Sequence, residues 1–167
     1  CCGCDLTELR TTSTNNLKKP NAAILSSTAV AGLTCPAIAS VNGNALGAGL
    51  EIALSCDIRI CSENARFGFP ETSYGFMPGG GGTQRLPRIV GKGKATEMIF
   101  TAEPVDATEA YRIGLVTRVI VKEKLAEEVE EIANKLILRA PIAVRYAKEA
   151  VNKGMDMTLP QGLRLEA

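Results

Sequence analysis

The stretch that most constrains the fold is residues 36–82, in which a strand, a turn of small residues and a helix follow one another. The apolar residues 37–41 predict a buried strand. Residues 42–49 contain three glycines and two alanines, and a helix is predicted to begin after them, at Leu50. A strand that enters a helix through such a turn leaves several backbone N–H groups without helical partners, pointing at one spot. The stretch therefore predicts a site for an anion or for a developing oxyanion.

Two carboxylates accompany this turn. Glu51 lies in the first turn of the predicted helix, and Glu71 comes just before a glycine run at residues 79–82. Carboxylates beside a cluster of N–H groups can move protons next to a stabilised enolate. A purely structural alternative stays open, in which the glycines serve tight packing, Glu51 complements the helix dipole and Glu71 is a surface charge.

Four segments carry a family resemblance. The sequences IASVNGNALGAGLE at 38–51, SCDI at 55–58, FGFPE at 67–71 and PGGGGTQRL at 78–86 resemble successive segments of the crotonase (enoyl-CoA hydratase/isomerase) superfamily. The match continues in register to about residue 158, and residues 6–35 fit poorly. Residues 25–33 are small and apolar without clear helical spacing, so this part of the chain is interpreted as shortened or divergent.

The resemblance implies an α/β fold, the crotonase-type spiral of strand-strand-helix repeats with C-terminal helices for oligomerisation. It divides the chain into a spiral core at residues 1–121, with N-terminal strands expected to be missing, and a truncated helical region at 122–167. The residues themselves also predict an α/β unit, since strands at 57–61 and 65–68 follow the central helix.

Further helices are predicted from caps and from hydrophobic spacing. Thr83 is predicted to cap a helix at 84–90 that Pro87 would strain, and a second helix covers 94–101. Asp106 has the spacing of a cap, Gly114 that of a helix end, and a strand is predicted at 115–121. Residues 123–139 form the clearest amphipathic helix, and Pro141 begins the next, which ends at Gly154.

The resemblance also assigns site residues. Glu51 and Glu71 occupy the two positions where hydratases of the superfamily carry catalytic glutamates, whereas members that isomerise, dehalogenate or decarboxylate usually keep one or neither. The resemblance places the oxyanion-hole N–H groups on Cys4 and Ala48 and puts the N–H of Gly79 near the catalytic water. The residues implied to bind substrate or coenzyme A are Cys2, Asp5 and Leu6. Thr7 departs from the family, which often has Lys there.

Together these residues predict an enoyl-CoA hydratase, which adds water across the trans-2 double bond of an enoyl-CoA thioester to give a 3-hydroxyacyl-CoA. The alternatives are an enoyl-CoA isomerase or other acyl-CoA enzyme of the superfamily, and a non-catalytic binding relative. Acyl-chain length stays open because the divergent segment at 6–35 would shape the acyl pocket. The resemblance implies a homotrimer or homohexamer.

The composition of the chain restricts the kinds of partner and cofactor that we expect it to bind. The net charge of +1 is spread along the chain and gives no basic stripe for nucleic acid. No apolar run approaches the ~20 residues that span a bilayer, and no targeting segment is recognised, so we expect a soluble, cytoplasmic protein, or a mitochondrial matrix protein if it is eukaryotic. Six cysteines and no histidine, without zinc-finger spacing, predict reduced thiols, no metal and no cofactor.

Overall fold

Two small sheets surrounded by helices make up the part of the chain that the structure, a computed structural model, describes: residues 22–166. Residues 11–20, whose Thr-, Ser- and Asn-rich start predicts a loop, lie outside this part. The strands are β1 (Ile38–Val41), β2 (Ala45–Leu46), β3 (Ile58–Ser62), β4 (Arg66–Gly68), β5 (Val105–Asp106) and β6 (Arg118–Ile120). The helices are α1 (Ala22–Ala31), α2 (Ala48–Ser55), α3 (Gly82–Val90), α4 (Lys92–Thr101), α5 (Ala107–Arg112), α6 (Leu125–Ile137), α7 (Pro141–Gly154) and α8 (Leu159–Leu165).

From β1 to β4, successive strands of the chain belong alternately to two different sheets. The first has the order β1-β3-β6 and is parallel throughout, with Ile38 opposite Ile58 and Ile60 opposite Arg118. The second has the order β2-β4-β5, in which β2 and β4 are parallel and β5 is antiparallel. Helix α2 connects the second sheet back to the first, so the chain winds through strand, strand and helix. This α/β arrangement confirms the predicted class.

The main core is formed by residues of α2, α3, α4 and α5 together with residues of the strands and of the segments beside them. Its fully buried members include Leu50, Phe67, Phe69, Leu86 and Met98. Burying a side chain of this size stabilises the fold by about 1.5–3 kcal/mol each. Helix α2 is therefore held on a rigid apolar base, with its N-terminus at the edge of the core.

A second core lies under α6. Leu125 and Ile132 are buried there with Ile60 of β3, and Val129 and Leu136 pack against them. Leu125, Val129, Ile132 and Leu136 recur at the three- and four-residue spacing of one helix face, so the predicted amphipathic helix is confirmed with shorter bounds. Helix α7 has the predicted start at Pro141 and end at Gly154, and no residue of it is buried within the described part of the chain.

Two predictions about helices were wrong or incomplete. Residues 22–31 form α1, although their spacing did not indicate a helix; Leu25 is exposed, so the helix lacks an apolar and a polar side. Thr83 is not the cap of α3, because the helix begins two residues earlier, after Gly81, whose φ of 105° only glycine adopts easily. The Asp106 cap is confirmed, since its side chain accepts the N–H of Glu109.

Candidate active site

The predicted anion-binding turn is built around Gly47. Its N–H donates to the carbonyl of Gly68 in β4 at 3.0 Å, and its φ of 53° turns the chain into α2. The first helical hydrogen bond runs from the N–H of Glu51 to the carbonyl of Gly47, also at 3.0 Å. The N–H groups of the preceding residues, Ala48 first among them, therefore have no acceptor inside the helix. This is the arrangement expected of a site that binds a developing negative charge.

Glu51 is buried, with 2% of its surface exposed, at the start of α2. Its Oε1 accepts the N–H of Gly80 at 2.6 Å and the N–H of Gly82 at 3.0 Å. A buried carboxyl group is costly unless such donors satisfy it. The glycine run that follows Glu71 thus fixes the orientation of Glu51.

The glycine run is also held by hydrogen bonds to one of its carbonyl groups. The carbonyl of Gly80 accepts from the guanidinium Nη1 of Arg85 at 2.9 Å and from Ser27 Oγ at 2.6 Å. Arg85, which sequence alone left without a role, therefore supports the turn. Gly82 lies against the ring of Phe69, because a Cβ built on it would be 2.6 Å from Phe69 Cζ.

Glu71 lies on the other side of the turn, in a 3₁₀ helix at Pro70–Tyr74. Its Oε1 faces Gly47, and its Oε2 is buried without a hydrogen-bond partner among residues 22–166. Burial raises the pKa of Glu71, the negative charge of Glu51 raises it further, and a backbone hydrogen bond partly opposes both effects. Both residues adjoin Gly47, because Glu71 Oε1 lies against it and the N–H of Glu51 donates to its carbonyl, while their carboxyl groups are in different environments.

The sequence-predicted residues divide into two groups. The structure brings together Glu51, Glu71, Ala48 and the glycine turn that contains Gly79, an exposed residue. Cys2, Cys4, Asp5 and Leu6 lie outside the described residues. Sequence reasoning missed Gly80 and Gly82 as the donors to Glu51, although it singled out the glycine run; it missed Ser27 completely.

Other predicted features concern thiols, metals and membranes. Cys35, Cys56 and Cys61 are free thiols, and burial raises the pKa of Cys61 to about 11. Within residues 22–166, no three Cys, Asp or Glu side chains lie together as a metal site requires. The same residues contain no helix that is both long and apolar enough to cross a membrane.

Chemically, the site combines N–H groups that have no acceptor inside α2 with two carboxyl groups whose environments differ. Such a pair can divide the roles of acid and base, because the environment of each group sets its readiness to hold a proton. The N–H groups at the start of α2 can stabilise an oxyanion that forms beside them.

Comparisons with known proteins agree with this geometry. The family model described as enoyl-CoA hydratase/isomerase matches residues 1–167. A short-chain-enoyl-CoA hydratase of Clostridium acetobutylicum is 54% identical over 132 residues, which are 79% of this chain and 51% of that protein. A crotonyl-CoA hydratase of Syntrophomonas wolfei is 48% identical over the same shares of the two chains.

Solved structures extend the similarity to the fold. The crystal structure of an enoyl-CoA hydratase from Bacillus anthracis superposes with a TM-score of 0.93 at 42% identity, covering 99% of this chain and 65% of that one. The spiral fold expected from the sequence is thereby confirmed. The chain spans about half the length of the curated relatives it matches.

Proposed function

This chain belongs to the enoyl-CoA hydratase/isomerase (crotonase) family, and from that premise we propose that it hydrates trans-2-enoyl-CoA thioesters to 3-hydroxyacyl-CoA. The observation that carries the proposal is the pairing of Glu51 and Glu71 at the N-terminus of α2. Isomerisation needs one base to carry a proton between two carbons, whereas hydration needs a second carboxyl group to hold and split water. The chain supplies both groups.

The oxyanion site is assigned to the backbone. Addition to a double bond conjugated with a thioester carbonyl places negative charge on the carbonyl oxygen in the transition state. We assign its stabilisation to the N–H of Ala48 at the start of α2, together with the N–H of Cys4. Removing one preorganised donor from an oxyanion hole typically raises the activation barrier by about 3 kcal/mol.

The two carboxyl groups then divide the proton transfers. Glu51, oriented by the N–H groups of Gly80 and Gly82, takes a proton from the water that attacks C3. Glu71, whose pKa burial raises, delivers a proton to C2. The exposed N–H of Gly79 is assigned to the same water. We therefore propose syn addition, in which the oxygen and the proton are added to the same face of the double bond.

The substrate proposal is a short-chain enoyl-CoA. It rests on the names of the relatives from Clostridium acetobutylicum and Syntrophomonas wolfei, a short-chain-enoyl-CoA hydratase and a crotonyl-CoA hydratase. Binding of the coenzyme A thioester is assigned to Cys2, Asp5 and Leu6. The chemistry needs neither metal nor cofactor, since the carboxyl groups and the N–H groups supply every step.

We further propose that the protein assembles as a homotrimer or homohexamer and that it is located in the cytoplasm or in a mitochondrial matrix. The assembly is supported by the exposed apolar side chains of the last helices, which include Ile142 and Tyr146 of α7 and Leu159 and Leu163 of α8. We assign residues 1–121 to the catalytic core and residues 122–167 to the helical region that meets neighbouring subunits.

Turnover of three substrates by the purified protein that carries this chain tests the function. We expect crotonyl-CoA to be hydrated fastest, a long-chain 2-enoyl-CoA more slowly, and a 3-enoyl-CoA to be isomerised only as a side reaction. Fast conversion of the 3-enoyl substrate without hydration of the others would establish an isomerase instead. Binding of the substrates without turnover of any would establish a non-catalytic relative.

A further inference from the structure

We propose that Ser27 is a positioning residue for Glu51, acting through the backbone of Gly80. The proposal rests on the proposed function, because Glu51 is the base of that reaction. Ser27 lies on α1, in the segment that the sequence pattern left unexplained, and 53 residues separate it from Gly80. It touches neither carboxyl group, so its effect on the reaction is transmitted by the turn.

The contact is short and buried. Ser27 is 1% exposed, and its Oγ lies 2.6 Å from the carbonyl oxygen of Gly80 and 3.2 Å from that of Ile24 in its own helix. A serine hydroxyl has a single proton to donate. The shorter distance assigns that proton to Gly80, because 2.6 Å is a strong hydrogen-bond distance and 3.2 Å is a weak one for an O–H donor.

Gly80 links the hydroxyl group of Ser27 to Glu51, the proposed base. Its N–H donates to Glu51 Oε1 at 2.6 Å, while its carbonyl receives Ser27 and Arg85. A glycine has no side chain to hold its backbone in place, so its conformation is set by the hydrogen bonds on its two peptide groups. Ser27 from α1 and Arg85 from α3 hold the carbonyl from two separate helices, and this fixes the direction of the N–H that orients Glu51.

A contribution to the stability of α1 alone does not explain why residue 27 is a serine. Alanine is a better helix former than serine by a few tenths of a kcal/mol, so Ser27→Ala would favour α1 itself. The carbonyl of Gly80 would keep Arg85 as a donor, and no buried group of the turn would lose its last partner. We therefore expect the Ser27→Ala protein to fold, with a looser turn at Gly80.

The experiment compares Ser27→Ala, Ser27→Thr and Ser26→Ala in the purified protein. Thr keeps a hydroxyl at position 27, and Ser26 is the exposed neighbour on the same helix, which makes its variant a matched control. The first measurement is kcat and KM for crotonyl-CoA. The second is the hydrogen-exchange rate of the amides of Gly80 and Gly82, compared with those of Ile60 and Cys61 in β3.

For Ser27→Ala we expect kcat to fall about three- to tenfold with KM changed less than about twofold, because a loss of orientation acts mainly in the transition state. We expect the amides of Gly80 and Gly82 to exchange about fivefold faster, which is the size of effect expected from one lost hydrogen bond. The two amides of β3 should exchange at an unchanged rate. Ser27→Thr should recover most of the kcat, and Ser26→Ala should match the wild type.

Unchanged exchange at Gly80 and Gly82 in Ser27→Ala would overturn the proposal, whatever the result with threonine. Faster exchange at all four amides would also overturn it, since that result marks a general loss of stability. The exchange experiment needs no substrate. A protein without hydratase activity that still shows the local effect would therefore refute the proposed reaction while retaining the link from Ser27 to Glu51.

Discussion

Gly47 makes room for the carboxyl group of Glu71. A Cβ built on Gly47 would lie 2.5 Å from Glu71 Oε1, closer than Cβ atoms approach other atoms in proteins, and 3.3 Å from its carboxyl carbon, a tight contact. The residue also has a φ of 53°, a region that side chains other than glycine's rarely adopt. One glycine thus sets both the direction of α2 and the place of the second carboxyl group.

Gly47→Ala should therefore displace Glu71. We expect kcat for crotonyl-CoA to fall about tenfold or more, because a displacement of about 1 Å in an active site has effects of that order. Strain at this backbone position should also lower the stability by about 1–3 kcal/mol. Steady-state kinetics and urea unfolding measure the two effects.

Gly43→Ala is the matched control, since it adds the same methyl group to the same turn and that group meets nothing within 4 Å. We expect this variant to keep its activity. Equal activity of the two variants would show that Glu71 does not depend on the space at Gly47.

The raised pKa of Glu71 predicts a pH-dependent gain of stability in Glu71→Gln. Between the ordinary glutamic acid value of 4.5 and the raised value, the folded protein binds more protons at this residue than the unfolded chain does. Its contribution to stability is therefore present below pH 4.5 and is lost as the pH rises through the folded pKa. Glutamine does not titrate, so the variant should gain on the wild type as the pH rises.

Urea unfolding at about pH 5 and about pH 8 measures this difference in the free energy of unfolding. Glu103→Gln, at an exposed position, provides the comparison. A wild-type protein that gains stability relative to Glu71→Gln with rising pH would contradict the assigned direction of the pKa.

Lys148 should anchor α7 to the core. Its Nζ, on a side chain only 9% exposed, contacts Asp57 Oδ2 and the carbonyl of Cys35, each at 2.8 Å. Lys148→Met should cost about 1–3 kcal/mol, because it removes the charged hydrogen bond to Asp57 Oδ2 and leaves that atom with the N–H of Ala37 as its donor. Lys153→Met removes an exposed ion pair with Glu149 from the same helix and should cost about 0–1 kcal/mol. Equal losses in urea unfolding would show that Lys148 carries no special anchoring role.

The parts of the site that the sequence predicted are those set by local patterns. Gly47, Glu51 and the glycine run lie within short segments whose residue types determine a turn and a helix start, so their arrangement can be read from spacing. Glu71 was singled out from the same stretch because the glycine run follows it at residues 79–82. The family resemblance then supplied roles that spacing alone left open.

The parts that the sequence did not predict depend on contacts between distant segments. Ser27 meets Gly80 only after α1 packs beside α2, and no local pattern marks a serine for that contact. Helix α1 itself was missed because Leu25 stays exposed and gives no amphipathic signal. The start of α3 was misplaced because glycine took the capping position that sequence rules give to threonine.

The central claim, that Glu51 and Glu71 act together on one water, is tested most directly by the kcat of Glu51→Gln, Glu71→Gln and the double variant with crotonyl-CoA. Glutamine keeps the size of each side chain and removes its ability to exchange a proton. Glu103→Gln controls for the loss of one negative charge at an exposed position.

We expect each single variant to lose about 10²-fold or more in kcat with KM much less affected, and the double variant to be slower than the slower single variant by less than about threefold. Residues that act as a unit show such non-additive losses, because removing either already disables the shared step. Full hydratase activity in Glu71→Gln, or losses that multiply in the double variant, would contradict the account.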